Sequence, residues 1–354
     1  MSFREIYLIK QLEWLLQPIK YLLDDPLVTD IHINGAGVNN KTMVFVKRGA
    51  KRSVEIVNYS IQDLENIGIN AAALNRQDIS EDAPFCSTKL PQGQRVQLVR
   101  SPACPSNQYA IAIRRPSAKA STPEELEKNG VFSHTTTSEK IRSSPPSTIQ
   151  DMIELKKSGR FREMLELAVK NGFTILWAGM VGTGKTYNLR AFINSIPLDK
   201  RIVTVEDMEE VINLPHKNVV NLLYPKGANQ GLSKHNAEDC TEAALRLDMD
   251  VLINQELRDA ASWAFLRALN SGHPGMTSCH APSAEGAYQA VSLMARQHPA
   301  AQTLSNEDLD GILRELIPIV AYCETIDGQR RITQIYFEPE KQKSSSNAAL
   351  TALI

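Results

Sequence analysis

The residues best suited to chemistry in this sequence form a glycine-rich run, GMVGTGKT, from Gly179 to Thr186. The run follows the pattern G-x-x-x-x-G-K-[ST], in which backbone N–H groups converge on phosphate oxygens. In such a loop Lys185 would reach the β- and γ-phosphates, and the hydroxyl of Thr186 would ligate Mg²⁺. A strand-like run, FTILWAG, precedes the loop, and a helix beginning near Lys185 would add its positive end. The motif predicts a nucleoside triphosphate site.

The nucleotide contacts are expected from the loop and the first helical residues after it. These residues are Gly179, Gly182, Thr183, Gly184, Lys185, Thr186 and Tyr187. A GTPase would normally also need a base-reading N-K-x-D motif, and the sequence contains none. The predicted ligands are therefore ATP and Mg²⁺.

Two carboxylates end apolar, strand-like runs and are candidates for catalysis. The run DVLINQE ends in Glu256, and the run RIVTVED places Glu206 close to its end. A carboxylate at the end of a strand beside a P-loop can handle Mg²⁺ through water or can position the attacking water. The further acids Glu209 and Glu210 make the second cluster also typical of a solvated turn. Both Glu256 and Glu206 remain candidates for activating water.

The stretch SGHPGMTSCHA, residues 271–281, combines two histidines with a cysteine. A zinc site would need further ligands at compatible spacing, and Cys279 points to the opposite face of a strand from its neighbour His280. No reaction suggested by the sequence needs a cysteine nucleophile. The imidazole of His280 can instead donate to a phosphate oxygen, and a glycine-rich strand end would let it move as phosphate leaves.

These side chains need a scaffold that brings strand ends together. From residue 148 onward, helical stretches alternate with short apolar runs, which are FTILWAG, RIVTVED, VVNLLYP, DVLINQE and GMTSCHA. Runs that are apolar on both faces and alternate with helices indicate a buried parallel sheet. The fold class is therefore α/β for this part of the chain.

The first part of the chain mixes helix and strand in another order. Helical spacing predicts one helix from Phe3 to Leu23, ended by the proline that follows. Ser60 with Asp63 predicts the capped start of a second helix, and strand-like runs lie between and after the two. We expect an N-terminal α+β domain at 1–117, a Ser-, Thr- and Pro-rich linker at 118–147, an ATPase domain at 148–340 and a tail at 341–354.

Composition narrows the class of partner. The 39 basic and 40 acidic residues give no bulk positive field, so we expect no direct binding of nucleic acid. The five cysteines are widely spaced, which argues against a disulfide framework and favours a cytoplasmic protein. No run approaches the roughly eighteen apolar residues of a spanning helix, so the chain would act beside a membrane and through partners.

Four motifs occur in the order and spacing of a known family. GMVGTGKT, RIVTVEDMEE, LRLDMDVLINQELRD and ALNSGHPGMTSCHA resemble the Walker A, Asp box, Walker B and His box of the secretion ATPases. The form ALNSGHPG followed by HA resembles the VirB11-type traffic ATPases of type IV secretion and conjugation systems. The resemblance extends upstream to GQRVQLVRSPA, IAIRRPS and DDPLVTDIHING.

The resemblance implies more than the residues do alone. It implies a RecA-like P-loop ATPase domain capped by a PAS-like N-terminal domain, assembled as a homo-hexamer, with nucleotide held between the two domains of one chain. Such a protein is cytoplasmic, peripheral to the inner membrane and partnered with inner-membrane components of the secretion system. Its ATP hydrolysis powers substrate transport and pilus assembly.

The resemblance also suggests roles for particular residues. His280 would lie near the γ-phosphate and report its presence, while the role of His273 is open. Arg95 and Arg114 would bring positive charge to the γ-phosphate, a task suited to the fork of donors that arginine carries. The runners-up for this role are Arg115 and Arg258.

Two other functions stay open on the sequence. One is a type IV pilus or type II secretion motor, although such proteins usually read TGH in the His box. The other is a nucleotide-gated scaffold with little turnover, because Gln255 stands where the family usually has glycine.

Overall fold

The computed structural model of the chain describes residues 2–115, 122–128, 130–133, 146–225 and 234–339. Within these residues there are two β-sheets, of six and seven strands, which makes the architecture mixed α/β as expected. The predicted linker at 118–147 lies largely outside the described residues, and the tail at 341–354 lies wholly outside them. The domain boundaries therefore stay predictions.

The first sheet is antiparallel, with the strand order β3-β2-β1-β6-β5-β4. Its strands are β1 (Asp30–Ile33), β2 (Lys41–Arg48), β3 (Lys51–Asn58), β4 (Phe85–Lys89), β5 (Arg95–Val99) and β6 (Ala110–Arg114). The helices of this part are α1 (Phe3–Leu15), α2 (Lys20–Asp24) and α3 (Ile61–Leu74).

The predicted helix boundaries of this part are right at one helix and wrong at another. The Ser60 side chain accepts from the Asp63 N–H at 3.1 Å, and the Asp63 carboxylate accepts from the Ser60 N–H at 2.8 Å, so the predicted cap of α3 is confirmed. The single helix predicted to end at Leu23 is wrong. It is divided by a 3₁₀ turn at Gln17–Ile19 that contains Pro18, which has no N–H to continue an α-helix.

The second sheet holds the glycine-rich loop. Its strands are β7 (Ile175–Gly179), β8 (Ile202–Glu206), β9 (Val219–Leu223), β10 (Val251–Asn254), β11 (Gly275–Cys279), β12 (Ile319–Ile326) and β13 (Gln329–Tyr336). The helices described after residue 122 are α4 (Pro123–Lys128), α5 (Pro146–Lys157), α6 (Phe161–Lys170), α7 (Lys185–Ile193), α8 (Ala237–Arg246), α9 (Ala261–Asn270), α10 (Ala284–Ala295) and α11 (Asn306–Leu316).

The strand order of the second sheet is β13-β12-β7-β11-β10-β8-β9. All neighbouring pairs are parallel except β12 with β13, so the predicted parallel sheet is confirmed. Strands β7, β8, β10 and β11 are buried at every position. Because these strands are parallel, their ends share one edge of the sheet, the carboxyl edge, and their starts share the opposite amino edge.

The two sheets pack against each other through apolar and polar contacts. Val99 and Ala103 belong to the same buried cluster as Leu176 of β7. The fully buried Arg201 donates to the Leu247 carbonyl at 2.7 Å and to Asn34 Oδ1 at 2.8 Å, which links the second sheet to the first part of the chain. Among the described residues, no helix has both the length and the apolar character needed to cross a membrane.

Candidate nucleotide site

The glycine-rich loop connects β7 to α7 at the carboxyl edge. Gly179 has φ +148°, and a Cβ placed there would lie 2.3 Å from the carbonyl oxygen of Cys323 on the neighbouring strand β12. Gly184 caps α7 with φ +90°, a left-handed conformation that favours glycine. The Thr183 hydroxyl donates to the Met180 carbonyl at 2.9 Å and fixes the turn. The backbone is thus shaped as a cradle that side chains at these glycines would obstruct.

Lys185 is turned back onto this cradle. Its ammonium group donates to the carbonyls of Gly179 at 3.0 Å and Met180 at 3.1 Å. The residue is only 8% exposed, and burial lowers the pKa of Lys185 although the carboxylate of Glu256 acts in the opposite direction. An ammonium stripped of water and held by weak carbonyl acceptors can exchange them for phosphate oxygens at little desolvation cost.

A chain of polar contacts leads from this lysine across three strand ends. The Nζ of Lys185 lies 3.1 Å from Nδ1 of His280, and Nε2 of that histidine lies 2.9 Å from Oε1 of Glu256. The other oxygen of Glu256 accepts from Arg258 at 2.6 Å, and Arg258 donates in turn to Asp207 at 3.0 Å. Three predicted residues, Lys185, His280 and Glu256, therefore meet in one place.

This geometry fixes the protonation pattern of His280. An ammonium group only donates, so Nδ1 of His280 must accept from Lys185 and carries no proton. The proton then resides on Nε2 and is donated to Glu256. Loss of the Lys185 contact would leave Nδ1 without a donor, so the orientation of the histidine can respond to whatever draws the lysine away.

Glu206 occupies a different environment from Glu256. It is fully buried, and its carboxylate accepts from the N–H groups of Glu210 and Val211 at 2.8 Å each and from the Thr204 hydroxyl at 2.6 Å. Burial raises the pKa of Glu206, while these hydrogen bonds oppose the rise. The Glu206 carboxylate therefore holds the backbone of the loop that follows β8. The next residue, Asp207, takes part in the contacts around Glu256 through Arg258.

The remaining loop residues are placed around the cradle. Thr186 is half-buried in the first turn of α7, and Tyr187 is 69% exposed. Arg330 of β13 lies across Gly184, since a Cβ added to that glycine would come within 2.8 Å of Arg330 Cδ. No local motif marks Arg330, because only the β12–β13 hairpin brings it to the loop.

Gln255 does not enter the polar chain. Its side-chain oxygen accepts from the Asp207 N–H at 3.2 Å, and its carbonyl accepts from the Ser278 hydroxyl at 2.8 Å. The residue is 8% exposed and therefore supports the strand ends from within. Gln255, which stands where the family usually has glycine, therefore does not prevent Glu256 from contacting His280.

Arg95 and Arg114 are not brought to the glycine-rich loop of their own chain. They are register partners on β5 and β6 and line a cavity of about 670 Å³ together with Asp248 and His273. The latter two residues precede β10 and β11 and so belong to the amino edge. The glycine-rich loop follows β7 and lies at the carboxyl edge, across the sheet. The first histidine of the SGHPGMTSCHA stretch is thus separated from the second, His280, by the length of β11.

The chain is similar to proteins of known family. Residues 17–350 match the family model described as Type II/IV secretion system protein. The chain is 32% identical over 343 residues to the type IV secretion system protein VirB11 of Bartonella henselae, covering 93% of each. It is 32% identical over 337 residues to the VirB11 protein of Brucella suis, covering 94% of this chain and 91% of the relative.

A solved structure also resembles most of this chain. It is the VirB11 ATPase from the Brucella suis type IV secretion system, in complex with sulphate. The two structures superpose with a TM-score of 0.83 at 30% sequence identity, covering 94% of this chain and 99% of the other.

Proposed function

The chain belongs to the Type II/IV secretion system protein family, among its VirB11-type ATPases, and on this premise we propose how it works. It is an ATP-hydrolysing component of a type IV secretion system. We propose that it is a cytoplasmic hexamer, peripheral to the inner membrane, whose hydrolysis cycle drives substrate transport and pilus assembly. In this proposal the part with the seven-stranded sheet is a RecA-like motor, and the part with the six-stranded sheet is a PAS-like domain that moves against it.

The observation that carries the catalytic proposal is the contact chain from Lys185 through His280 to Glu256. When phosphate oxygens take all three N–H groups of Lys185, from the two carbonyls and from His280, Nδ1 of His280 loses its donor. The imidazole is then free to turn and donate its N–H to the terminal phosphate at the expense of its contact with Glu256. Gain or loss of that phosphate is thereby passed to the carboxylate at the end of β10.

The residues at the loop fit ATP with Mg²⁺. The glycines leave the backbone N–H groups open to phosphates, Lys185 supplies a positive charge, and the half-buried Thr186 offers a hydroxyl ligand. Glu256 would hold Mg²⁺ through water and would orient the water that attacks the γ-phosphate. When bound, Mg²⁺ neutralises charge that develops on the phosphates.

A ring explains the position of Arg95 and Arg114. They lie beside the amino edge of the seven-stranded sheet of their own chain. In the head-to-tail ring proposed here, one copy would turn this edge toward the carboxyl edge of the next. The Arg114 side chain is 72% exposed and therefore available to another copy. We propose that these arginines complete the site of a neighbouring copy, which differs from the expectation that one chain forms the whole site.

Phosphate release by the purified chain tests the motor function. We expect Lys185→Ala to abolish ATP-dependent phosphate release, because the charge that engages the phosphates is lost. The exposed Lys170→Ala at the end of α6 is the matched control and should retain wild-type turnover. Light scattering would show whether each variant still assembles. Turnover retained in an assembled Lys185→Ala variant would refute the assignment of the loop.

Mixing two inactive variants tests the ring. If the arginines act between copies, mixing Lys185→Ala with Arg114→Ala chains should restore part of the phosphate release, because some interfaces then join an intact loop to an intact arginine. Each variant alone should be inactive. Absence of recovery in mixed particles, verified by mass, would place the arginines in their own chain's site.

A further inference from the structure

A second cluster of metal-binding side chains lies away from the glycine-rich loop. Asp30 and His32 alternate on β1, so both project from the same face of the strand. Asp248 lies opposite them, in the turn between α8 and β10, and holds a left-handed backbone conformation with φ +54°. One ligand atom from each of the three lies within 4.8 Å of the other two.

One of these three side chains has a buried nitrogen without a hydrogen-bond partner, and a second has only a long ion pair. His32 is 4% exposed, and its Nε2 forms no hydrogen bond within the described residues; the closest acidic oxygen, on Asp248, is 3.5 Å away. Asp30 is also 4% exposed, and its carboxylate contacts only the largely exposed Arg114, at 3.8 Å, among the ion pairs of the described residues. Buried groups left in this state usually mark an ion or a water.

A cation that binds Asp248 would have to displace Lys47 from it. The ammonium of Lys47 lies 3.1 and 3.0 Å from the two oxygens of Asp248. The Lys47 ammonium balances the negative charge of Asp248. The negative charge of Asp30 and the lone pair of His32 have no comparable partner among the described residues. The Lys47 side chain is 28% exposed, so it can turn toward solvent when a cation takes its place.

We propose that Asp30, His32 and Asp248 bind one divalent transition-metal ion of the zinc type. An imidazole nitrogen combined with carboxylate oxygens suits such ions, whereas Mg²⁺ and Ca²⁺ favour oxygen ligands alone. The adjoining cavity of about 670 Å³ gives an entry path and leaves a coordination position open to water or to an anion held by the arginines there. Because Asp30 and His32 lie on β1 and Asp248 lies in the turn before β10, the ion would fasten the two halves of the chain together.

This inference does not depend on ATP hydrolysis, and its test uses no nucleotide. The full-length chain, stripped with a chelator and then dialysed against micromolar Zn²⁺, should retain one equivalent by elemental analysis. His32→Gln should lose that equivalent or bind at least tenfold more weakly, because one of three ligands is gone. The matched control is His216→Gln, which alters another buried histidine whose Nε2 already contacts the Ile196 carbonyl at 2.9 Å.

A second pair of measurements guards against misfolding. Asp30→Asn keeps the shape of the side chain and should also lose the zinc equivalent, with an unchanged circular dichroism spectrum. Zinc should raise the melting temperature of the wild type and of His216→Gln but not of His32→Gln. The proposal is overturned if the wild type keeps no zinc, if His32→Gln keeps as much as the wild type, or if the equivalent is lost only in His280→Gln.

Discussion

Replacing Glu256 with glutamine tests the polar chain most directly. The carboxylate accepts from His280 Nε2 at 2.9 Å and from Arg258 at 2.6 Å. Arginine only donates, and His280 must also donate here because its Nδ1 is committed to accepting from Lys185. A glutamine offers one accepting oxygen and one donating NH₂ group. It can therefore satisfy His280 or Arg258, but not both.

The size of the effect follows from this mismatch. Loss of one charge-assisted hydrogen bond costs about 1.5–3 kcal/mol, and the side chain of Glu256 is only 18% exposed, so water compensates little. We expect the free energy of unfolding to fall by about 2 kcal/mol. Removing the base that orients water should lower phosphate release by roughly 10²- to 10⁴-fold. ATP binding should stay within a few-fold of the wild type, because the loop and Lys185 are intact.

Three assays separate these effects. Denaturant unfolding gives the stability change, filter binding gives the affinity for ATP, and steady-state phosphate release gives the rate. The neighbouring exposed Glu209→Gln is the control and should match the wild type in all three. If Glu256→Gln hydrolyses ATP within threefold of the wild-type rate, Glu256 is not the water-positioning group. Equal stability of the two proteins would refute the protonation pattern derived for His280.

Three other predictions concern the frame around the site. Gly179→Ala should lower the melting temperature far more than Gly159→Ala, because both glycines have positive φ but only a Cβ at Gly179 would collide with a backbone oxygen, whereas a Cβ at Gly159 meets nothing within 4 Å. Similar losses in the two variants would contradict the pairing of β7 with β12. Burial raises the folded-state pKa of Glu206 above its usual 4.5, so the contribution of this residue favours the folded state at low pH and is lost as the pH rises through the folded pKa. The free energy of unfolding of the wild type minus that of Glu206→Gln should therefore fall between pH 4 and 7, and a difference that does not change with pH would refute this. Arg52→Ala removes a two-pronged contact with Asp250 that includes a 2.8 Å hydrogen bond and should cost about 1.5–3 kcal/mol in denaturant unfolding, unlike an exposed arginine.

Much of the carboxyl-edge site could be predicted because its residues lie in contiguous motifs. A strand followed by a glycine-rich loop fixes its own geometry, so Lys185 was identified from local pattern alone. Glu256 and His280 each end an apolar run, and parallel strands end at one edge, so their meeting with Lys185 followed from the predicted sheet. Sequence could not separate the roles of Glu256 and Glu206, since both end strands. Only the return of the loop after β8 shows that Glu206 binds backbone N–H groups.

Most strands of the fold, like most residues of the site, could be predicted from the sequence. Five strands of the parallel sheet were predicted, because burial on both faces gives continuous apolar runs. The hairpin of β12 and β13 was missed, and so was β3. All residues of β13 up to Gln334 are exposed. Half of the residues of β3 are exposed, and Glu55 separates Val54 from Ile56, so neither strand carries a strong apolar signal. Arg330 was missed for the same reason, since its position over Gly184 depends on that hairpin.

By itself the sequence determined the chemistry of the phosphate cradle, because glycine conformations, a lysine and a strand end are local properties. Only the tertiary structure decided which side chains from distant parts of the sequence lie next to one another. It placed Arg95 and Arg114 at the amino edge, away from the loop they were expected to serve, and it brought Asp248 against Asp30 and His32. Such contacts depend on how the two sheets dock, and docking is set by surface shape and charge pairs that no short stretch of sequence contains.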